Sequence, residues 1–254
     1  MQRYFIYLSY DGTNYNGWQI QPNGVTVQEK LIAGLELMLQ EKVTVMGAGR
    51  TDTKVHAKMM VAHFDTVKNN LDIPLLIHKL NCFLPKDIAV HNIVKVHNDA
   101  HARFNATERT YHYYLTFKKS PFNRDYAWRI ANYPNIDLMN EAAHYLLNYS
   151  DFTSFSKVHT SVKTNVCSIK EAHWDVIDEI NWRFTIRADR FLRNMVRSIV
   201  GTLLDVGYEK ISIDDFCKII ESKNRCDAGA SVPGHGLFLV DVKYPESLFI
   251  EDNL

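Results

Sequence analysis

The chain has 254 residues, 46% hydrophobic and 23% charged, a composition typical of ordinary globular proteins that excludes a disordered chain. Lys and Arg number 29 and so do Asp and Glu, so the net charge does not indicate a nucleic-acid partner. The sequence contains no apolar run of about 18 residues, so no membrane-spanning helix is expected. Four cysteines without a CxxC pair argue against a zinc ribbon or a disulfide framework and favour a reducing cytoplasm.

The first hundred residues alternate predicted strands with two predicted helices. A helix is expected from Thr26 because Thr26 and Glu29 fit a capping box. Its apolar stripe has helical spacing and consists of Val27, Leu31, Leu35, Met38 and Leu39. A second helix is expected over 73–83, and strands over 3–10, 43–46, 61–67 and 88–97. This order predicts a ferredoxin-like α+β unit.

The second half has a similar predicted content. Strands are expected over 111–117 and 237–242, a hairpin over 173–177 and 182–188, and helices over 138–148, 191–206 and 212–222. Asp137 is the expected N-cap of the first of these helices. We predict two domains, residues 1–103 and 104–254.

Two predicted elements of this half carry candidate binding residues. Alternation along the 111–117 strand places Tyr111 and Tyr113 on one face and His112 and Tyr114 on the other. The 191–206 helix would place Arg190, Arg193 and Arg197 on one polar side. These arginines belong to a basic stretch over 183–197, and a second basic stretch lies over 101–130. Such stretches form either an anion-binding groove or an ordinary solvated surface.

The segment Gly47-Ala48-Gly49-Arg50-Thr51-Asp52 is the main candidate for chemistry. A dinucleotide fingerprint would need glycine where Asp52 stands, and a P-loop would need a final Gly-Lys-Ser/Thr, so both are excluded. A tight glycine turn that presents Arg50 and Asp52 remains. From spacing alone, this turn is either a functional loop or a structural turn with an exposed ion pair.

A series of short motifs runs along nearly the whole chain. They are Tyr10-Asp11-Gly12-Thr13, Gly17-Trp18-Gln19, Thr26-Val27-Gln28, Gly47–Ala57, His101-Ala102-Arg103-Phe104, Arg109-Thr110-Tyr111, Phe191-Leu192, Met195-Val196-Arg197, Gly201, Ala228-Gly229, Gly236-Leu237 and Tyr244-Pro245. Together, and in this order, they resemble the motifs of the tRNA pseudouridine synthase A (TruA-type) family.

This resemblance implies an isomerase that converts uridine to pseudouridine at positions 38, 39 and 40 of the tRNA anticodon stem-loop. It also implies a cytoplasmic homodimer that uses no cofactor and no metal. The implied fold is α+β, with two ferredoxin-like subdomains, a shared and mainly antiparallel sheet, and a central catalytic cleft. A membrane partner is not expected.

Site residues follow from the same resemblance, position by position. Asp52 matches the catalytic aspartate, and Arg50 matches the arginine linked to displacing the target base. Tyr111 matches the tyrosine that stacks on the uracil, and Arg197 the basic residue paired with the aspartate. The sequence departs from the family at Thr53-Lys54, where Ala-Gly is usual, and at Arg193, where an aromatic residue or histidine is commoner.

Two other functions remain open from the sequence. One is a tRNA-binding or folding factor without turnover, although the presence of Asp52 favours catalysis. The other is a small-molecule enzyme that uses the glycine loop for phosphate. The chemistry of the first interpretation fits the residues, since a carboxylate serves as nucleophile or base, an adjacent guanidinium keeps it ionised, and an aromatic face stacks on an extruded base.

Overall fold

The computed structural model describes residues 1–157 and 164–250. Contacts concentrate in two compact units: unit 1 contains residues 1–107 and the described residues from 239 onward, and unit 2 contains the described residues between 108 and 238. The division into domains 1–103 and 104–254 stays a prediction. None of the helices in the described ranges is long and apolar enough to cross a membrane.

Unit 1 has the succession of elements predicted for a ferredoxin-like unit. Its elements are β1 (Gln2–Tyr10), α1 (Val27–Leu39), β2 (Val45–Gly47), β3 (His56–Thr66), α2 (Ile73–Phe83) and β4 (Ile88–Val96). The strands pair antiparallel in the order β4-β1-β3-β2. Ile6 lies at the centre of this sheet, opposite Ala62 on β3 and Ile93 on β4. The βαββαβ prediction for this part of the chain is confirmed.

The predicted apolar stripe of α1 packs into the core of unit 1. The side chain of Thr26 caps the helix by accepting from the amide of Glu29 at 3.4 Å. The buried members of the stripe are Val27, Leu31, Leu35 and Leu39, while Met38 is half-buried. The bounds of α2 agree with the prediction, and Asp72 caps it by accepting from the amide of Leu75.

Unit 2 repeats much of this plan. Its elements are β5 (Glu108–Thr116), β6 (Trp128–Arg129), α3 (Ile136–Tyr145), β7 (Ile169–Asp178), β8 (Asn181–Ala188), α4 (Met195–Gly207) and α5 (Ile213–Ser222), followed by the start of β9 (Leu237–Lys243). The order β5-β8-β7 is antiparallel, and the short β6 runs parallel to β5. From Leu239 onward β9 belongs to unit 1, where it neighbours β3.

The two units therefore have the same order of elements along the chain. In unit 2 the series β5-α3-β7-β8-α4 corresponds to β1-α1-β2-β3-α2 of unit 1, both in element type and in the order of strands in the sheet. Leu203 of α4 and Phe184 of β8 are fully buried in the core of unit 2, and Trp174 of β7 is nearly so. The predicted α+β class with mainly antiparallel pairing is confirmed.

Several predicted boundaries are wrong by a few residues. The N-cap of α3 is Asn135, whose side chain accepts from the amides of Asp137 and Leu138, so Asp137 lies inside the helix. The α-helical part ends at Tyr145, and the remaining predicted residues form a 3-10 turn. β2 begins at Val45 instead of 43, and β3 begins at His56 instead of 61 because its first residues already pair with β1.

Candidate active site

The loop after β2 carries Asp52 at a half-buried position and Arg50 at an exposed one. Its two glycines have different surroundings. A Cβ on Gly47 would lie 2.7 Å from ring atoms of Trp18, whereas a Cβ on Gly49 would meet nothing within 4 Å. The backbone at Gly47 therefore lies directly against the Trp18 ring, and no neighbouring atom requires glycine at position 49.

The Asp52 loop is held on both sides of Asp52 by the segment that follows β1. The amide of Trp18 donates to the carbonyl of Thr51 at 3.2 Å, and the amide of Lys54 donates to the carbonyl of Tyr15 at 3.2 Å. The hydroxyls of Tyr10 and Thr51 form a buried hydrogen bond of 2.8 Å. Because these bonds fix the residue before Asp52 and one two residues after it, the backbone of Asp52 has little freedom.

A glycine with positive φ makes this close approach possible. Gly17 has φ 86°, and a Cβ at this position would clash with the carbonyl oxygen of Thr51. An L side chain is disfavoured at such a φ even where space exists. Lys54, which stands where the family usually has glycine, also has a positive φ, of 63°. The departure at Lys54 thus keeps a backbone conformation that favours glycine.

The segment after β1 is anchored in turn to the region between α2 and β4. The Tyr15 hydroxyl donates to the Asp87 carboxylate at 2.5 Å, and the amide of Asp11 donates to the carbonyl of Asp87 at 2.9 Å. Burial of the phenol raises the pKa of Tyr15 well above 10, and the hydrogen bond to Asp87 adds to this. Tyr15 therefore stays protonated and remains a donor, which keeps the support of the Asp52 loop in place across the physiological pH range.

His56, the first residue of β3, contacts the segment that follows β1. It is almost fully buried, and its Nδ1 accepts from the amide of Gly12 at 3.0 Å. The same nitrogen lies 3.1 Å from a carboxylate oxygen of Asp11. Sequence reasoning assigned no role to this histidine, and the structure shows that it packs under the Asp52 loop, where the backbone of Gly12 approaches that of Val55.

In unit 2, Tyr111 lies on the buried face of β5. Its ring makes an edge-on contact with Phe191, with ring centroids 5.1 Å apart at 86°. Tyr113 shares this buried face, while His112 and Tyr114 lie on the other face and contact each other. The alternation predicted for this strand is confirmed, and Phe191 is a neighbour of Tyr111 that spacing could not identify.

Arg197 is the third residue of α4 and is half-buried. Its Nε donates to the carbonyl of Val232 at 2.7 Å, and the amide of Val232 donates to the carbonyl of Arg197 at 3.2 Å. The Tyr113 hydroxyl donates to the adjacent carbonyl, that of Pro233, at 2.9 Å. Burial raises the pKa of Tyr113 well above 10, and the charge of Arg197 partly opposes this rise.

The predicted basic side of the 191–206 helix is wrong. The helix begins at Met195 because Asn194 adopts a left-handed conformation with φ 69°, so Arg190 and Arg193 precede it and share no helical face with Arg197. Two arginines of the wider basic stretch are paired with carboxylates. Arg183 pairs with Asp175, and Arg187 bridges Glu171 and Glu108.

The structure thus places Arg50 and Asp52 together in one loop of unit 1, and Tyr111 and Arg197 in unit 2. That Asp52 meets the residues of unit 2 stays a prediction. Within residues 1–157 and 164–250, no three His, Cys, Asp or Glu side chains group closely enough to hold a metal ion.

Comparison with known proteins gives a consistent result over nearly the whole chain. A family model described as tRNA pseudouridine synthase matches residues 6–105 and 142–245. Three proteins named tRNA pseudouridine synthase A are among the relatives. The one from Bacteroides fragilis is 60% identical, covering 98% of this chain and 99% of the relative. Those from Bacteroides thetaiotaomicron and Parabacteroides distasonis are 58% and 57% identical, each over 99% of this chain and over 94% and 100% of their own lengths.

Proposed function

The chain belongs to the tRNA pseudouridine synthase family, and from this premise we propose that it isomerises uridine to pseudouridine at positions 38, 39 and 40 of the tRNA anticodon stem-loop. We further propose that it works as a homodimer in the cytoplasm. One observation carries the catalytic assignment. Asp52 is half-buried in a loop whose backbone is fixed at Thr51 and Lys54, so a single carboxylate is held in a defined position.

The reaction rearranges one nucleotide without gain or loss of atoms. The bond from N1 of uracil to C1′ of the ribose breaks, the base turns, and C5 joins C1′. The hydrogen on C5 is lost as a proton, and N1 takes up a proton. Because no electrons are exchanged with another molecule, one carboxylate that acts as a nucleophile or base is sufficient for the central step.

The four site residues divide this work. Asp52 is the catalytic nucleophile, and Arg50, exposed in the same loop, contacts the RNA as the target base leaves the stack. Tyr111 offers its ring to the extruded uracil. Arg197 provides a guanidinium as the partner of the Asp52 carboxylate. The hydrogen bond from Arg197 Nε to the Val232 carbonyl supports this role because it restrains the position of the guanidinium.

The decisive experiment incubates the protein with unmodified tRNA and maps pseudouridine, in comparison with Asp52→Asn. Asn has nearly the same shape but cannot act as a nucleophile or base, so we expect this variant to fold, to bind tRNA and to form no pseudouridine. Asp137→Asn, at an exposed position on α3, is the matched control and should retain full activity.

The outcomes separate the three functions considered. Turnover by Asp52→Asn within tenfold of wild type, in a preparation free of host enzyme, would refute the catalytic assignment. Binding of tRNA by the wild-type protein without any pseudouridine would indicate a binding or folding factor. A protein with no salt-dependent affinity for RNA would fit the small-molecule enzyme.

A further inference from the structure

The turn that follows Ala100 in unit 1 exposes a large aromatic side chain on a rigid base. Phe104 is 75% exposed, although burial of a phenyl ring is favourable and this ring gains little from it. It lies in the motif His101-Ala102-Arg103-Phe104, to which no role in the reaction was assigned. Its neighbour Arg103 is also exposed, and the guanidinium carbon lies 5.6 Å from the centroid of the Phe104 ring.

Two histidine rings pack in series behind Phe104 and support it. The centroids of the Phe104 and His101 rings are 4.3 Å apart at 36°. The His101 ring in turn contacts the ring of His63, at 4.6 Å and 65°. His63 is a buried residue of β3, so this series of rings reaches from the sheet of unit 1 to its surface. One side of the Phe104 ring is therefore supported while most of its area is open to solvent.

Hydrogen bonds fix the backbone of the turn as well. The amide of Ala102 donates to Nδ1 of His63 at 3.1 Å, and its carbonyl accepts from the Tyr244 hydroxyl at 2.6 Å. Nδ1 of His101 accepts from the amide of Arg103 at 3.1 Å. The side chain of Asn105 accepts from the amide of His101 at 2.6 Å. A turn held by this many bonds presents Phe104 in one orientation before any ligand arrives.

Both histidines of this series are neutral at physiological pH. Burial, reinforced by the nearby Arg3 charge, lowers the pKa of His63 to about 4 and also lowers the pKa of His101. Each Nδ1 accepts a backbone N–H, which requires an unprotonated nitrogen at that position. The supporting rings therefore add no charge, and Arg103 supplies a cation beside the Phe104 ring.

We propose that Phe104 and Arg103 form a platform on which an unpaired nucleobase of the tRNA stacks, while the Arg103 guanidinium contacts its phosphate. This inference rests on the proposed function for its ligand. A rigid, exposed aromatic ring beside a cation is the combination that binds unpaired nucleotides, because every base has a π-face and every nucleotide carries a phosphate. The base in question is distinct from the target uracil, which is assigned to Tyr111.

The test is a series of substitutions at Phe104, with affinity measured for unmodified tRNA in the Asp52→Asn background so that no turnover occurs. Phe104→Leu keeps an apolar side chain but removes the π-face, and we expect it to weaken binding about tenfold. Phe104→Tyr keeps the ring and should bind within about twofold of the parent. Val67→Ala, which truncates an exposed apolar side chain after β3, is the control and should not change affinity.

Salt dependence separates the two parts of the platform. Phe104→Leu should lower affinity equally at all salt concentrations, because stacking releases no counterion. Arg103→Gln should instead reduce the slope of log affinity against log salt by somewhat less than one unit. A fully paired RNA duplex offers no unpaired base, so the parent and Phe104→Leu proteins should bind such a duplex with equal affinity.

Equal tRNA affinity of the Phe104→Leu and parent proteins would overturn the proposal. A change of oligomeric state in Phe104→Leu would also overturn it, since Phe104 would then cover a second copy of the chain. The proposed function fails separately, if wild-type protein forms no pseudouridine. Affinity for tRNA that depends on Phe104 would stand even in that case.

Discussion

Arg197 and Val232 are joined by two hydrogen bonds, one from the Arg197 side chain to the Val232 carbonyl at 2.7 Å and one from the Val232 amide to the Arg197 carbonyl at 3.2 Å. The second bond lies between backbone groups and survives any substitution at position 197. The first depends on the guanidinium, so it links the predicted catalytic cation to the segment that precedes β9. Substitutions at Arg197 consequently test a structural role and a chemical role together.

We expect Arg197→Met to lower both stability and activity. The part-buried Val232 carbonyl would lose its hydrogen bond from the Arg197 side chain, which should lower the free energy of unfolding by about 1–3 kcal/mol. Activity should fall much further, because the variant removes the proposed partner of the Asp52 carboxylate. Arg197→Lys retains the charge without the planar fork and should restore part of the activity. Urea unfolding and single-turnover rates measure the two effects. A wild-type rate in a folded Arg197→Met protein would leave Arg197 with the structural role alone.

Gly17→Ala should damage the Asp52 loop from outside it. The new Cβ would clash with the Thr51 carbonyl, and the residue would keep a φ that disfavours L side chains, so we expect a loss of at least 1–2 kcal/mol, as an order of magnitude. Turnover should fall because the backbone before Asp52 must move.

Gly49→Ala is the matched control for this variant, since a Cβ at Gly49 meets nothing within 4 Å. Thermal unfolding and the rate of pseudouridine formation should distinguish the two alanine variants. Equal stability of both would show that the contact between Gly17 and Thr51 does not constrain the loop.

Tyr111→Phe should keep stacking on the target base, whereas Tyr111→Ala should lose about 1–3 kcal/mol of affinity for tRNA. Because Tyr111 is buried against Phe191, the alanine variant also creates a cavity that costs about 3–5 kcal/mol of stability. Affinity and single-turnover rate are therefore compared only at temperatures where both variants are folded. If the Phe and Ala variants bind tRNA equally, Tyr111 does not stack on the base. If Tyr111→Phe, which lacks only the hydroxyl, already abolishes turnover, the Tyr111 hydroxyl transfers a proton.

Stability should fall as the pH is lowered from about 6.5 towards 4. The folded protein holds the pKa of His63 at about 4, below the value of about 6.5 in an unfolded chain. Between these values the unfolded state binds more protons, which favours unfolding by roughly 1–3 kcal/mol at the acid end. His63→Gln, which can still accept from Ala102, should flatten this dependence. The exposed His78→Gln is the control for urea unfolding at pH 7, 6 and 5, and an equally steep slope in His63→Gln would exclude His63 as its source.

Elements with clear local signals could be predicted from the sequence. The bounds of α2 were correct because Asp72 provides an N-cap and Pro85 follows the helix closely. The start of α4 was misplaced because apolar residues keep helical spacing back to Phe191, while Asn194 interrupts the helix with a backbone conformation that no periodicity reveals. Asn135 and Asp137 are both good caps, and local sequence alone does not decide between them.

The sequence provides the candidate site residues, which stay a prediction, but not the contacts that hold them in place. Motif resemblance identified Asp52, Arg50, Tyr111 and Arg197, each on a short signature. The contacts that position them come from residues far away in sequence: Tyr10 reaches Thr51, and Val232 reaches Arg197. Such contacts depend on how strands and loops assemble, which spacing along the chain does not contain.

The chain leaves the first unit at Thr107 and returns to it at Leu239, so the second unit is an insertion within the first. During synthesis, every residue of the second unit has been made before the part of β9 that neighbours β3 is available. The N-terminal unit is therefore the last to be completed, against the usual order for nascent multidomain proteins. Until then β3 presents much of one edge unpaired, which is a site for aggregation that the growing chain has to keep covered.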